Sequence, residues 1–286
     1  MVAWLQLLRV ALVPTVLWDA AAGALLAGAA FDATLLAVVG SVLPVYLGGM
    51  ALNDFADFGS DARDRPGRPI PSGRVSPAAA LVGGLFLMAV GNLVAQAFLA
   101  PTAAQAVLLL SGVVLLYDLG GAALRRGLGP PLLALARGIS LALPLLADGQ
   151  GLFDQRETVQ PYLAYVLYFL FLSRLASREE QGSPGMRALA FVLATALAPV
   201  LAFPAEGGLS YGAGWLLFAA WIAVPALRDR HRSWDPGRVQ AAVRRGLAAA
   251  PAVPGLALIG AGNPWGLAAP LVAVLVGRLA RLLPPE

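Results

Sequence analysis

The sequence predicts an all-α protein, a polytopic membrane helical bundle, and two features carry this prediction. Of its 286 residues, 59% are hydrophobic and only 13% are charged, against about 25% charged residues in an average soluble domain. Apolar stretches recur along almost the whole chain, each close to the ~20 residues that a helix needs to cross the hydrocarbon core of a bilayer. We therefore expect residues 1–286 to form a single transmembrane domain.

Ten apolar segments follow one another along the chain. The first follows Arg9 without a small-residue cleavage pattern, which is typical of a retained span and not of a signal peptide. Several segments contain proline, which the packed neighbours of a membrane bundle tolerate. The predicted segments cover residues 8–29, 34–53, 77–99, 102–117, 130–147, 160–176, 186–204, 210–227, 239–261 and 264–283.

The positions of arginine predict the orientation, because cytoplasmic connections retain an excess of positive charge. All 20 basic residues are arginine, and alternate connections hold nearly all of those outside the spans. Both termini are therefore expected on the cytoplasmic side of a bacterial inner or plasma membrane. The arginines of this side are Arg9, Arg63, Arg65, Arg68, Arg74, Arg125, Arg126, Arg174, Arg178, Arg187, Arg228, Arg230, Arg232, Arg238, Arg244, Arg245, Arg278 and Arg281. The opposite connections contain Asp32, Asp148, Asp154, Glu157 and Glu206 with the single Arg156.

Composition also excludes several classes of site and partner. Cysteine is absent, so disulfides, a thiolate nucleophile and a cysteine-based zinc site are excluded. The net charge of +4 follows from the cytoplasmic connections, and the sequence has no basic surface with interleaved aromatic residues of the kind that nucleic-acid-binding proteins show. We expect membrane lipid as a partner and no nucleic acid.

A set of acidic residues follows the second span directly. On a helix continued from that span, Asp54, Asp57 and Asp61 lie at i, i+3 and i+7, which places three carboxylates on one face. Like charges repel, so the arrangement favours divalent cations between these acids and a phosphorylated substrate. Mg²⁺ suits oxygen ligands that are shared with phosphates. A solvated, charge-balanced cytoplasmic loop is the alternative interpretation.

The same stretch resembles a family signature. The pattern NDxxDxxxD at residues 53–61, followed by RPxPSG at residues 68–73, resembles the first signature of the UbiA-type intramembrane prenyltransferases. The resemblance implies a helical bundle of nine spans around a central cavity, to which the tenth segment is a C-terminal addition. It also implies ligands for Mg²⁺ and for the diphosphate of a prenyl diphosphate, namely Asn53, Asp54, Asp57 and Asp61, with Arg68 in contact with the diphosphate.

The second signature of that family, an Asp-rich run after the sixth span, has lost its aspartates here. Glu179 and Glu180 lie at the matching place, where either would supply a longer carboxylate to a metal. Two solvated glutamates at a helix end are the alternative. Divergent branches of the superfamily, including the EboC-like group, similarly lack an intact second motif.

Further candidates lie between the fourth and fifth spans. Tyr117 and Asp118, followed by Arg125 and Arg126, resemble the tyrosine and basic segment of the family. The resemblance implies that Tyr117 and one or both arginines bind the diphosphate. For Arg125 and Arg126 the alternative explanation is the positive-inside distribution of arginine.

Two charged residues lie inside predicted spans. Arg137 belongs to the fifth span, where an intramembrane guanidinium is expected to face the bundle interior with a partner, either the substrate or an acid such as Asp118. Asp19 belongs to the first span and is expected either in the acceptor pocket or in an interhelical hydrogen bond.

These residues favour an enzyme that transfers a prenyl group from a prenyl diphosphate to an unidentified acceptor with the help of Mg²⁺. Mg²⁺ on the three aspartates and the donors of Arg68 would neutralise the departing diphosphate, and a dry apolar cavity would protect the allylic C1 from water. The alternative is a carrier or transporter built on the same bundle, whose acids bind a phosphorylated lipid without cleaving it.

Overall fold

The computed structural model describes residues 2–152, 156–202 and 208–283, and within these ranges it contains helices and no β-strand. Asp154 and Glu206, which we predicted in the non-cytoplasmic connections, lie outside the described residues, as do the side chains of Arg156 and Glu157. Three short 3₁₀ helices, Val10–Leu12, Ala198–Ala202 and Pro264–Ala268, connect longer elements. The α-helices are α1 Val2–Leu7, α2 Val13–Ala27, α3 Ala33–Ala56, α4 Phe58–Asp64, α5 Pro77–Phe98, α6 Pro101–Leu119, α7 Gly121–Ala147, α8 Arg156–Ala176, α9 Gly185–Leu197, α10 Gly208–Arg228, α11 Pro236–Ala249, α12 Ala252–Gly260 and α13 Ala269–Leu282.

The predicted membrane bundle is confirmed, with a difference at the seventh segment. Nine helical stretches of the described chain are long and apolar enough to cross a membrane. The seventh predicted segment contains the 13-residue α9, and its apolar stretch Gly185–Val200 is shorter than the nine others. The ninth segment is built from α11 and α12, which are separated at Ala250 and Pro251, because a proline ring interferes with the helical hydrogen bond of its own position.

Helix starts follow from local sequence. Asp32 precedes α3, and its carboxylate accepts a hydrogen bond of 2.8 Å from the backbone N–H of Thr34. Ser76 caps α5 in the same way, and Pro77 occupies the first helical position, where its missing N–H is not needed. One acidic residue that we assigned to topology therefore also has a local role as a helix cap.

Small residues bring α3 and α5 together closely. A Cβ atom added at Gly48 would lie 2.6 Å from the backbone oxygen of Gly84, so a larger side chain cannot fit there without moving a helix. Membrane helices pack by such small-residue contacts, since lipid gives no hydrophobic driving force between them. This contact holds the C-terminal end of α3, which carries the acidic motif, against the start of α5.

A small apolar cluster underlies the loop between α4 and α5. It contains buried Leu7 of α1, Ala51 of α3 and Ile70 and Val75 of the loop. Ile70 is the variable residue of the RPxPSG motif and is 2% exposed. Burial of this side chain fixes the loop against α1 and α3, and it thereby holds Arg68 next to the acidic motif.

Candidate active site

The first acidic motif lies where α3 ends and α4 begins. We predicted one continuous helix, but α3 ends at Ala56 and Asp57 has φ −88° and ψ 1°, outside the helical range. Hydrogen bonds from the Asp57 N–H to Asn53 O (3.0 Å) and from the Asp61 N–H to Asp57 O (2.8 Å) preserve the turn. The three carboxylates have two sets of contacts, since Asp54 and Asp61 pair with Arg68 and Asp57 pairs with Arg125.

Asp54 and Asp61 share one arginine. Nη1 of Arg68 lies 2.5 Å from Oδ2 of Asp61 and 3.6 Å from Oδ1 of Asp54. Both carboxylate side chains are 7% exposed, and buried charges of this kind require partners. Arg68 thus lies against the acidic motif through its carboxylates, and its predicted contact with a diphosphate stays a prediction.

Arg9 is a member of this site that the sequence interpretation used only for orientation. It adopts a left-handed backbone conformation, φ 47°, between α1 and the following 3₁₀ helix. Its Nη2 donates to Oδ1 of Asp54 at 3.0 Å and to Oδ1 of Asn53 at 3.1 Å. In the sequence, the only indication of this role was that Arg9 lies directly before the first span, and this position is equally expected from positive-inside topology.

The third aspartate has a different partner. Asp57 forms an ion pair with Arg125 of α7, and Tyr117 lies among the charges of Asp118, Arg125 and Asp57. Arg126 is exposed, and in the described chain no ion pair involves it. The structure thus distinguishes two arginines that the sequence left equivalent.

Asn53 connects this set to α6. Its Nδ2 donates to Oδ1 of Asp118 at 3.0 Å, while its Oδ1 accepts from Arg9. The residues joined by these contacts come from α3, the junction of α3 and α4, α4, α6, α7 and two loops, and we call them the site cluster. The cluster comprises Arg9, Asn53, Asp54, Asp57, Asp61, Arg68, Asp118 and Arg125.

The chemistry of this cluster fits a hard divalent cation, although its carboxylates are paired with arginines. Three carboxylates and one amide oxygen at one end of the bundle are the oxygen donors that Mg²⁺ prefers. In the part of the chain that the structure describes, no group of three or more acidic or histidine side chains is arranged to hold a metal ion. Guanidinium groups occupy the positions between the acids, so arginine and metal compete for the same oxygens.

The two glutamates of the altered second motif differ from each other. Glu179 is half-buried and Glu180 is exposed. Burial raises the pKa of the Glu179 carboxyl, and the positive charges of Arg65 and Arg244 act against that rise. Glu179 therefore lies near Arg65 of the loop that follows α4, and its role as a metal ligand stays a prediction.

The intramembrane arginine has a partner other than those we named. Nη2 of Arg137 lies 3.0 Å from Oδ2 of Asp19 and donates to the hydroxyl of Tyr165 at 2.9 Å. The Tyr165 hydroxyl in turn donates to Oδ1 of Asp19 at 2.6 Å. The prediction that Asp118 is the partner of Arg137 was wrong, because Arg137 pairs with Asp19 and Asp118 accepts a hydrogen bond from Asn53. We call Asp19, Arg137 and Tyr165 the buried triad.

Comparison with known proteins agrees with this architecture. The model of the UbiA prenyltransferase family matches residues 13–245. A digeranylgeranylglyceryl phosphate synthase of Methanopyrus kandleri is 32% identical over 255 residues, covering 79% of this chain and 88% of the relative. The enzyme of the same name from Ignicoccus hospitalis is 32% identical over 270 residues, with 86% of each chain covered.

A solved structure also resembles the chain over nearly its whole length. That structure, of a digeranylgeranylglyceryl phosphate synthase in membranes, superposes with a TM-score of 0.63 at 18% identity and covers 97% of this chain and 98% of its own. The likeness confirms the helical membrane fold. The family match implies an integral membrane prenyltransferase that uses a prenyl diphosphate, an acceptor and a divalent metal. By the family model and by two relatives aligned over most of their length, the chain belongs to the UbiA prenyltransferase family.

Proposed function

We propose that the chain transfers a prenyl group from a prenyl diphosphate, with Mg²⁺, to a hydroxyl of a glyceryl phosphate lipid. The names of the relatives describe a product with two geranylgeranyl chains on one glyceryl phosphate. A glyceryl phosphate that already carries one such chain is therefore the acceptor class we propose. The bond from C1 to the diphosphate breaks, a bond from C1 to the acceptor oxygen forms, and the hydroxyl proton is released.

The observation that carries this proposal is the convergence of three carboxylates and three arginines at the end of α3. Arg9 and Arg68 contact Asp54, Arg68 contacts Asp61, and Arg125 contacts Asp57. A forked guanidinium binds carboxylate and phosphate oxygens in the same geometry. Each of these arginines is thus placed to exchange a carboxylate oxygen for a diphosphate oxygen when substrate binds.

Within this proposal the acids released from the arginines hold the cation. Asp54, Asp57, Asp61 and the carbonyl oxygen of Asn53 would be its ligands, and Mg²⁺ would supply neutralisation of the leaving diphosphate. The arginines orient the diphosphate and stabilise the charge that develops as it departs. The apolar helices around the site exclude water, which would otherwise compete with the acceptor for C1.

We further propose that this end of the bundle faces the cytoplasm. Arg9, Arg68 and Arg125 of the site cluster belong to the arginine-rich set of connections, and such connections remain in the cytoplasm. A reporter fused after Glu286 should then give a cytoplasmic signal. A signal from the opposite side of the membrane would mean that one of the ten predicted segments does not cross, and the short stretch Gly185–Val200 is the first candidate.

The reaction is tested with purified protein in lipid, labelled geranylgeranyl diphosphate, geranylgeranylglyceryl phosphate and Mg²⁺. We expect diphosphate release that depends on both acceptor and Mg²⁺, together with a lipid product that carries the label. Binding of the labelled diphosphate with no release under any acceptor would contradict the proposal and favour the carrier alternative.

A further inference from the structure

The side chain of Asn53 is held between a donor and an acceptor. Arg9 donates to its carbonyl oxygen at 3.1 Å, and its amide nitrogen donates to Oδ1 of Asp118 at 3.0 Å. The two ends of an amide differ chemically, because the oxygen only accepts and the nitrogen only donates. Only one of the two orientations therefore satisfies both neighbours.

Asp118 differs from the other acids of the site cluster in its partners. Asp54, Asp57 and Asp61 each pair with an arginine. Asp118 is 3% exposed, and among the described residues no ion pair involves it. Asp118 accepts a hydrogen bond from the neutral amide of Asn53. A buried carboxylate requires a donor, so this contact strongly determines the orientation of that amide.

Packing brings the two residues together. Gly49 lies one helical turn before Asn53 on the same face of α3, and a Cβ atom added there would lie 2.7 Å from Cγ1 of Val114 on α6. The absent side chain allows α6 to approach α3. Asp118, four residues after Val114, consequently reaches Asn53.

We propose that Asp118 is a positioning residue that turns the Asn53 amide so that its oxygen faces the Asp54 side of the site. This inference rests on the proposed function, in which that oxygen binds the cation. If the acceptor at position 118 is lost, the amide can rotate and present N–H groups toward Arg9. Donor then faces donor, and the amide no longer offers its oxygen to a hard cation beside the three carboxylates.

The test uses three variants that separate orientation from charge, with Asn53→Asp alone as the comparison for the third. Asp118→Ala removes the acceptor, whereas Asp118→Asn keeps an acceptor oxygen and removes the charge. The exchange variant Asn53→Asp with Asp118→Asn reverses donor and acceptor while an oxygen still faces Arg9. Asp64→Asn, an exposed acid on α4, is the control for charge loss, and thermal unfolding of each variant checks that it folds.

Two quantities are measured. The first is kcat/KM over a titration of Mg²⁺, and the second is the Mg²⁺-dependent binding of an unreactive geranylgeranyl thiodiphosphate. We expect Asp118→Ala to lose about 10- to 100-fold in both, as residues that orient metal ligands do. Asp118→Asn should stay within about fivefold of the unsubstituted protein under the same reasoning. The exchange variant should bind better than Asn53→Asp alone, which sets two carboxylates against each other.

Two results would overturn the inference while leaving the proposed function in place. One is an Asp118→Asn variant as impaired as Asp118→Ala, which would assign the role to the charge and make Asp118 a proton acceptor. The other is an Asp118→Ala variant that is unimpaired. Binding of the thiodiphosphate without turnover in the unsubstituted protein would contradict the proposed reaction only, because the binding readout still tests Asp118. Absence of Mg²⁺-dependent binding would overturn both.

Discussion

The site cluster and the buried triad are both built from aspartate and arginine, yet they are organised differently. Arg9 and Arg125 of the site cluster have side chains that are 26% and 23% exposed, and Arg68 serves two acids at once. In the buried triad, Asp19 is 1% exposed and pairs with one arginine and one tyrosine. The guanidinium of Arg137 also lies 4.9 Å from the ring centroid of Phe169.

This difference indicates different roles. Arg9 and Arg68 each contact two acceptors, and a guanidinium can exchange a carboxylate for a phosphate oxygen, which a substrate site needs. A closed ion pair between α2 and α7, completed by a hydroxyl from α8, has no spare acid to replace a missing one. We therefore expect changes in the site cluster to impair activity and changes in the buried triad to impair stability first.

The largest expected effect follows from removing one member of the buried triad. Arg137→Met leaves Asp19 buried without its cation, which costs about 3–5 kcal/mol for a buried pair. The double change Asp19→Leu with Arg137→Met should cost less, since no charge is left unpaired. Thermal unfolding in detergent measures both. Unchanged stability of Arg137→Met, with lost diphosphate binding, would place Arg137 at the substrate, which is one of the two partners that the sequence interpretation left open.

The site cluster should respond to substitution in activity. Asp54→Ala is expected to lower kcat by about 10²- to 10³-fold, as the loss of one group that stabilises developing charge does. The fold should persist, because Arg9 retains Asn53 and Arg68 retains Asp61. Asp64→Ala on the exposed face of α4 is the matched control. Equal losses in the two variants would remove Asp54 from the site.

The neighbouring arginines of α7 provide an internal comparison. Arg125→Ala should raise KM for the prenyl diphosphate about 10- to 100-fold, the range of a charged hydrogen bond. Arg126→Ala should change KM by no more than about twofold, as expected for an exposed charge. Steady-state kinetics at fixed ionic strength measure both. A larger rise in KM for Arg126→Ala than for Arg125→Ala would mean that Arg125, the partner of Asp57, is not the diphosphate ligand.

The smallest expected effect concerns the altered second motif. Glu179→Gln should increase the Mg²⁺ concentration needed for half-maximal activity by less than about tenfold, and Glu180→Gln should leave it unchanged, because only Glu179 is half-buried near the first-motif loop. A Mg²⁺ titration of the rate compares them. No effect in the double variant would leave the acids of α3 and α4 as the metal ligands.

Much of the architecture followed from local sequence. Apolar stretches of membrane length predicted the spans, since a bilayer admits a backbone only as a helix or a closed barrel. The spacing of Asp54, Asp57 and Asp61 predicted a candidate site after the second span, because positions three to four apart share a helix face. The proline positions did not show that the stretch Gly185–Val200 would be shorter than the nine other apolar stretches of the described chain.

The partners of the charged side chains were decided only by tertiary structure. Arg9 reaches Asp54 across 45 residues of chain, and Arg125 reaches Asp57 across 68. Asp19 and Arg137, both predicted to face the interior, meet because α2 packs against α7. Helix formation and membrane insertion depend on neighbours within a few residues. Pairing between distant charges depends on how closely helices approach, and glycines such as Gly48 and Gly49 permit that approach only when the facing helix is already in place.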